Sequence, residues 1–231
     1  MMRLRQLALV AADLEPALDS LGSTLGVELC FRDPGVAEFG LHNGLLAIGD
    51  TFLEVVSPVQ DGTTAGRLLD KRGGDGGYMV IVQTTEYERV AGRLPDLGVR
   101  VVWRHESAKA SSVHLHPKDL GGPITSIDAM ADEAGWLWAG PTWRDHVRTG
   151  TVAELSGAVI AAEDPDALAA RWAEVLDRPP DGRVIRLDRG RIVFESAGAR
   201  GAGLDAIEVT VTDRSRAGEV HQLVGTEFRF V

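Results

Sequence analysis

Cysteine is almost absent from this chain. Cys30 stands alone among 231 residues, so no intrachain disulfide and no thiolate metal cluster can be built. A single cysteine in an apolar run reads as a core residue. Positive charge is also short: 24 Lys and Arg face 34 Asp and Glu, for a net charge of -10. That balance argues against a nucleic acid or an anionic membrane surface as partner, because both select clustered cations. Long apolar runs are missing as well. No segment approaches the ~20 residues of a membrane span. The N-terminal run over residues 7–12 is shorter than the ~7–15 residues of a signal-peptide core, and Asp13 closes it. The expectation is a globular cytoplasmic protein.

What the chain does have is a small pattern that occurs four times. The copies are Gln6-Leu-Ala-Leu-Val-Ala-Ala-Asp13, Met79-Val-Ile-Val-Gln-Thr-Thr-Glu86, Gly157-Ala-Val-Ile-Ala-Ala-Glu-Asp164 and Ala206-Ile-Glu-Val-Thr-Val-Thr-Asp213. Each is an apolar strand closed by an acidic residue, with an amphipathic stretch after it. Repeats spaced by some tens of residues decide a fold before any single side chain does.

After the first copy, residues 15–25 carry leucines near helical spacing, with Gly26 placed as a C-cap. Three short strand-like runs follow, at 27–31, 45–48 and 52–56, separated by turn-forming residues. The second copy repeats the order with a helix at 86–94 and strands at 99–104, 112–116 and 124–127. The glycine-rich stretch 73–77 leads into a strand rather than a helix, so it reads as a connector and not as a phosphate cradle. The third copy predicts a helix over 165–176, with Asp164 as N-cap and Pro165 in its first turn. The fourth is trimmed, with a helix-like stretch at 214–224 and a closing strand at 226–231. Residues 132–150 break the pattern and hold Trp136, Trp138 and Trp143. They either pin a linker to the surface it crosses or form a wall of a ligand pocket. The organisation expected is a paired domain over 1–131, a Trp-rich linker over 132–150, and a degenerate, truncated second domain over 151–231.

The tandem strand-helix-three-strand units resemble the vicinal oxygen chelate superfamily, the glyoxalase and bleomycin-resistance fold. Leu115-His-Pro-Lys-Asp-Leu-Gly-Gly122 followed by Pro-Ile-Thr-Ser-Ile looks like the corresponding segment of methylmalonyl-CoA epimerases, and Thr51-Phe-Leu-Glu-Val-Val-Ser-Pro58 looks like the fourth strand of their first unit. The resemblance implies an α+β fold of βαβββ units forming cupped mixed sheets. In metal-dependent members, ligands come from the first and fourth strands of paired units. Here those places fall on Gln6, Glu54, Met79 and Ser126. A thioether and a hydroxyl are poor partners for a hard divalent cation, so no metal and no cofactor is expected. The epimerase carboxylate base maps onto Ser126. The second half offers Gly157, Glu195, Ala206 and a residue near Phe228, which make no site.

Glu54 lies on an otherwise apolar strand, where partial burial would raise its pKa and suit it to proton transfer. Gln6 is placed beside it to hydrogen-bond a carbonyl. His114 and His116, two apart, would share one face of a strand, and with Lys118 and Arg104 could form a cationic lip. Trp103 beside Arg104 could make a flat stacking wall. The site set is therefore Glu54, Gln6 and His116 for chemistry, with His114, Lys118, Trp103, Arg104, Met79 and Ser126 for ligand contact. The leading function is a metal-independent binder of a small apolar or anionic molecule in the N-terminal cup. The alternative is an isomerase or lyase using Glu54 as acid/base on an activated carbonyl or acyl thioester. A metal-dependent dioxygenase or glyoxalase is the third reading. A homodimer is possible through an exposed sheet edge in the trimmed last unit.

Overall fold

Two curved mixed sheets packed through their outer faces give the computed structural model its α+β architecture, and all of residues 1–231 are described. The first sheet is built from β1 (Met2–Val10), β2 (Leu29–Phe31), β3 (Leu41–Ile48), β4 (Thr51–Pro58), β5 (Gly76–Thr84), β6 (Val101–Glu106), β7 (Ala110–Leu115) and β8 (Ile124–Met130). Its strand order is β2-β3-β4-β1-β5-β8-β7-β6. β1 runs parallel to β4 and antiparallel to β5, and β5 runs parallel to β8. Two copies of one unit thus meet at the β1–β5 seam.

The second sheet holds β9 (Val152–Ala162), β10 (Pro180–Asp181), β11 (Val184–Arg186), β12 (Arg191–Ser196), β13 (Gly203–Val211), β14 (Val220–Leu223) and β15 (Thr226–Phe230), in the order β10-β11-β12-β9-β13-β15-β14. The same pairing rule recurs, with β9 parallel to β12, antiparallel to β13, and β13 parallel to β15.

Every residue of β1 is buried, because both of its faces are covered. Leu7 and Leu9 point to one side and join a continuous core that also takes in Ile160, Ile207 and Trp172 from the second half. Ala8 and Val10 point to the other side, into the hollow of the first sheet, with Phe52, Val56, Met79 and Ile81. Strand alternation therefore sorts one sequence into a shared outer core and a private inner one. The two sheets cross closely at Gly77 on β5, where a Cβ would overlap the carbonyl oxygen of Leu204 on β13. Gly77→Ala is expected to force the sheets apart and to cost about 1–3 kcal/mol, read as a lowered thermal midpoint. An unchanged midpoint would show that this crossing gives way freely.

Helices flank the sheets: α1 (Leu14–Leu25), α2 (Thr64–Arg72), α3 (Tyr87–Gly92), α4 (Pro117–Leu120) and α5 (Pro165–Leu176). α1 ends at Gly26 with φ 68°, the left-handed cap its sequence called for. α5 begins where Asp164 Oδ1 accepts from the Ala167 N–H at 3.0 Å, with Pro165 in the first turn. α2 was not anticipated. Thr63 caps it by accepting from the Gly66 N–H, and Gly73 closes it at φ 68°. The helix expected over 214–224 does not form. A single 3-10 turn, Arg214–Arg216, gives way to β14, and Gly218 between them takes φ 91°, a left-handed conformation outside any α-helix. No helix of the chain is long and apolar enough to cross a membrane.

Candidate functional site

The hollow of the first sheet gathers the polar groups that an apolar interior does not need. Glu54 faces inward from β4, and two amides hold its carboxylate. Gln6 Nε2 donates to Oε2 at 2.8 Å, and Asn43 Nδ2 donates to Oε1 at 2.6 Å. Neither amide is free to turn over. The Trp136 indole N–H, a donor only, binds Gln6 Oε1 at 2.7 Å, and the Asp33 backbone N–H binds Asn43 Oδ1 at 2.8 Å. Two donor-only groups thus fix two amides so that both aim their NH2 at one carboxylate. Burial nonetheless dominates and pushes Glu54 up to about 7, against the opposing pull of the Asn43 and Gln6 bonds.

A second buried carboxyl, Asp128 on β8, accepts from Ser112 at 2.9 Å, from the Trp138 indole N–H at 2.6 Å, and from Ser126. Burial raises it to about 6 against those same bonds.

The hollow is partly filled by the chain itself. Residues 132–147 return across the mouth of the cup and insert Trp136, Ala139 and Trp143 into the inner core. Trp136 stacks on Phe52 at 6.1 Å, and Trp143 meets the same ring edge-on at 5.0 Å. The Arg5 guanidinium lies 5.2 to 5.9 Å from the centroids of Phe52, Trp136 and Trp143. These contacts pin the segment into the hollow of the first sheet. The two tryptophans stand on the row of Phe52 and Gln6.

The next row along, Glu54, Ala8 and Met79 in register, is left less crowded. Glu54 and Met79 each keep 7% of their surface accessible. Beyond that row α2 closes the cup with Ala65, Leu68 and Leu69. This row is bracketed by the tryptophan strap on one side and a helix on the other.

A cluster of rings frames one side. Trp103 lies 4.4 Å from His114, 5.8 Å from Phe39 and 6.0 Å from His105, and His105 meets Trp138 at 5.2 Å. Phe39 comes from the first unit and Trp103 from the second, so the ring contacts bridge opposite rims of the sheet. Burial holds the His114 imidazole down to about 4, which makes it a neutral ring at physiological pH.

The structure places the other sequence-derived residues differently. His116 does not share a face with His114: β7 ends at Leu115, Pro117 opens α4, and His116 caps that turn by accepting from the Lys118 N–H at 3.1 Å. The Lys118 side chain is exposed. Arg104 alternates away from Trp103 to the outer side, where it pairs with Glu106 at 2.9 Å. The segment His116–Gly122 packs on α5, with the Trp172 indole N–H on the Leu120 carbonyl and Arg171 on the Asp119 carbonyl. No cationic lip is assembled, because proline ends the strand and the loop is spent on joining the two halves. Asn43 and Asp128 were missed. The Ser126–Asp128 alternation on a strand was the one local signal for Asp128.

The four places where relatives hold a metal do not fit one here. Gln6 Oε1 is taken by Trp136, the Ser126 hydroxyl is bonded to Asp128, and Met79 supplies a thioether. No group of three or more His, Cys, Asp or Glu comes together elsewhere.

A family model for the glyoxalase-like domain matches residues 7–176. The chain belongs to that family. Among solved structures, a variant of the Streptomyces coelicolor methylmalonyl-CoA epimerase in complex with 2-nitronate-propionyl-CoA is 24% identical, with a TM-score of 0.50 over 56% of this chain and 97% of that one. The Mycobacterium tuberculosis methylmalonyl-CoA epimerase is also 24% identical, with a TM-score of 0.50 over 57% of this chain and 89% of its own. A hypothetical protein from Staphylococcus aureus aligns over 100% of this chain and 99% of its own, with a TM-score of 0.69 at 10% identity. These likenesses show the vicinal oxygen chelate fold. The epimerases match little more than half of this glyoxalase-like chain, whereas the Staphylococcus protein matches both halves. No curated protein matches it.

Proposed function

We propose that this glyoxalase-like protein binds a small, mainly apolar molecule in the N-terminal cup, with a carbonyl of that molecule facing Glu54. The observation that supports this most is a carboxyl near pKa 7 in an aromatic-walled hollow, held by two amides whose orientation is fixed. At neutral pH such a group is partly protonated and donates a hydrogen bond to a carbonyl; a neutral ligand that prefers this form takes up a proton on binding. An anionic ligand is not favoured inside the cup, because the buried cations beside it are already engaged, Arg3 and Arg5 by Asp50 and Arg5 also by the tryptophan rings.

A second reading is favoured by the same pKa. The ionised fraction of Glu54 is a base poised for proton removal next to a carbonyl, as an isomerase or lyase requires. The fold-similar epimerases are described with methylmalonyl-CoA or a nitronate analogue bound, which makes acyl thioesters sensible members of a test panel.

Incubation of small apolar ketones and acyl thioesters with the protein in D2O separates the two readings. A ligand that raises the melting temperature of the wild type, loses that effect in Glu54→Gln, and takes up no deuterium supports the binder. Deuterium entering next to the carbonyl in the wild type but not in Glu54→Gln supports the enzyme. Thermal shifts equal in the two proteins, with deuterium uptake equal or absent in both, would remove Glu54 from the site and overturn both.

A further inference from the structure

The second sheet repeats the first position by position, and the register identifies equivalent residues. Gln6 on β1 faces Phe52 and Ile81 on its neighbours, and Ile81 faces Ser126. Gly157 on β9 faces Arg191 and Glu208, and Glu208 faces Arg229. The hairpin pair Ile48 and Thr51 corresponds to Leu187 and Gly190 in the turn ahead of β12. Arg5, Phe52 and Gln83 therefore correspond to Ser156, Arg191 and Thr210. In the first cup the row containing Arg5 and Phe52 is the floor on which Trp136 and Trp143 rest. In the second cup the same row, with Arg186, Leu187, Gly190 and Val231, borders a cavity of about 420 Å³. One cup carries its aromatic rings on its own chain; the other holds the matching space open.

The chemistry of that space is specific. Arg191 is pinned flat by two parallel bonds to Glu208, at 2.7 Å from Nε and 2.8 Å from Nη2. Gly157 makes this possible, since a Cβ there would overlap the Glu208 carboxylate. A planar, immobilised guanidinium in the place of Phe52 is a stacking surface for a ring, and its Nη1 makes no hydrogen bond within the chain. Arg186 uses Nε on Asp181 at 3.1 Å, and both of its terminal nitrogens are unengaged, a fork of the kind that takes a carboxylate. The Thr210 hydroxyl makes no bond within the chain either.

We propose that the second cup is a binding site for a planar aromatic carboxylate, with its ring on Arg191 where the first cup stacks indole on Phe52, and its carboxylate on Arg186. The site is separate from Glu54 and does not depend on the function proposed for the N-terminal cup.

Indole-3-acetate, which joins the stand-in ring to a carboxylate, is the probe, with neutral indole and acetate as controls, in calorimetric titrations of the full chain. The expected result is one site with Kd of about 1 mM or tighter, ordinary strength for a ligand of about a dozen non-hydrogen atoms, with weaker binding at high salt. Arg186→Ala, an exposed change that leaves packing intact, weakens binding at least tenfold. Thr210→Phe fills the cavity and abolishes it. Glu54→Gln, in the other cup, leaves the affinity for indole-3-acetate as it was. No binding to the wild type, equal binding of indole and indole-3-acetate, or loss in Glu54→Gln with retention in Arg186→Ala would each overturn the proposal.

Discussion

Asp50→Ala is expected to destabilise the chain by about 2–4 kcal/mol, because it strips the acid from three arginines at the junction of the two halves. Asp50 Oδ2 accepts from Arg3 at 2.6 Å and from Arg189 at 2.7 Å, lies 3.3 Å from Arg5 Nη1, and Oδ1 accepts from Arg189 at 2.9 Å. Arg5 is wholly buried and Arg3 nearly so. Burial, and then its neighbour Arg3, already hold the Arg5 guanidinium down to about 9. Removing the carboxylate leaves like charges facing each other in a poorly hydrated place. Asp50 itself is a third exposed, which trims the ~3–5 kcal/mol that breaking a fully buried pair would cost. Burial works against the ionised Asp50, but the hydrogen bonds from Arg189 and Arg3 outweigh it and lower its pKa to about 2.

The sign follows from linkage. A carboxyl lowered on folding contributes its stability in full above about pH 4, the unfolded value, and loses it as pH falls through about 2. Urea unfolding of the wild type and Asp50→Ala should differ most near neutrality and converge toward pH 2. A difference below about 1 kcal/mol at pH 7, the scale of an exposed pair, would show that hydration satisfies these arginines without Asp50.

The repeat was legible in the sequence because its signal is local. Apolar strands closed by Asp13, Glu86, Asp164 and Asp213 can be read within eight residues, and the α5 cap at Asp164 needs only its next three. The α+β class, the pairing of units and the inward-facing carboxylate at Glu54 follow from such signals. What could not be read were encounters set by distant parts of the chain. Trp136 returns over 130 positions to reach Gln6, and nothing in a polar linker with three tryptophans says which cup it enters. His116 was misplaced for a smaller reason: one proline ends β7 one residue earlier than the alternation of His114 and His116 suggests. The correspondence of Arg191 with Phe52 needed the register of both sheets: the sequence set Glu195 in the place of Glu54, whereas the register sets Val193 there.

Truncating the strap at its centre carries the other large effect. Trp136 keeps 2% of its surface accessible, stacks on Phe52, and supplies the N–H that orients Gln6. Trp136→Ala is expected to cost about 3–5 kcal/mol, the range for emptying a large buried aromatic site. Trp136→Phe should keep most of the stacking, lose only the hydrogen bond, and cost about 1–2 kcal/mol. Both changes release Gln6, but only the alanine variant admits water to the floor of the cup. Burial is the leading cause of the raised Glu54 pKa, so hydration should bring Glu54 down from about 7 in Trp136→Ala. Loss of the fixed Gln6 donor acts in the opposite direction, as it does in Trp136→Phe.

Stability against pH carries the same information. A carboxyl whose pKa is raised on folding holds its proton more tightly in the native state. The wild type therefore loses stability as pH rises from the ordinary value of about 4.5 to about 7, and that slope should flatten in the alanine variant and persist in the phenylalanine one. Carbon NMR titration of the Glu54 carboxyl and urea unfolding across this range test it together. If Trp136→Ala unfolds at the wild-type urea midpoint with Glu54 still titrating near 7, the strap does not seal the cup, and the hollow that Glu54 faces is open without it.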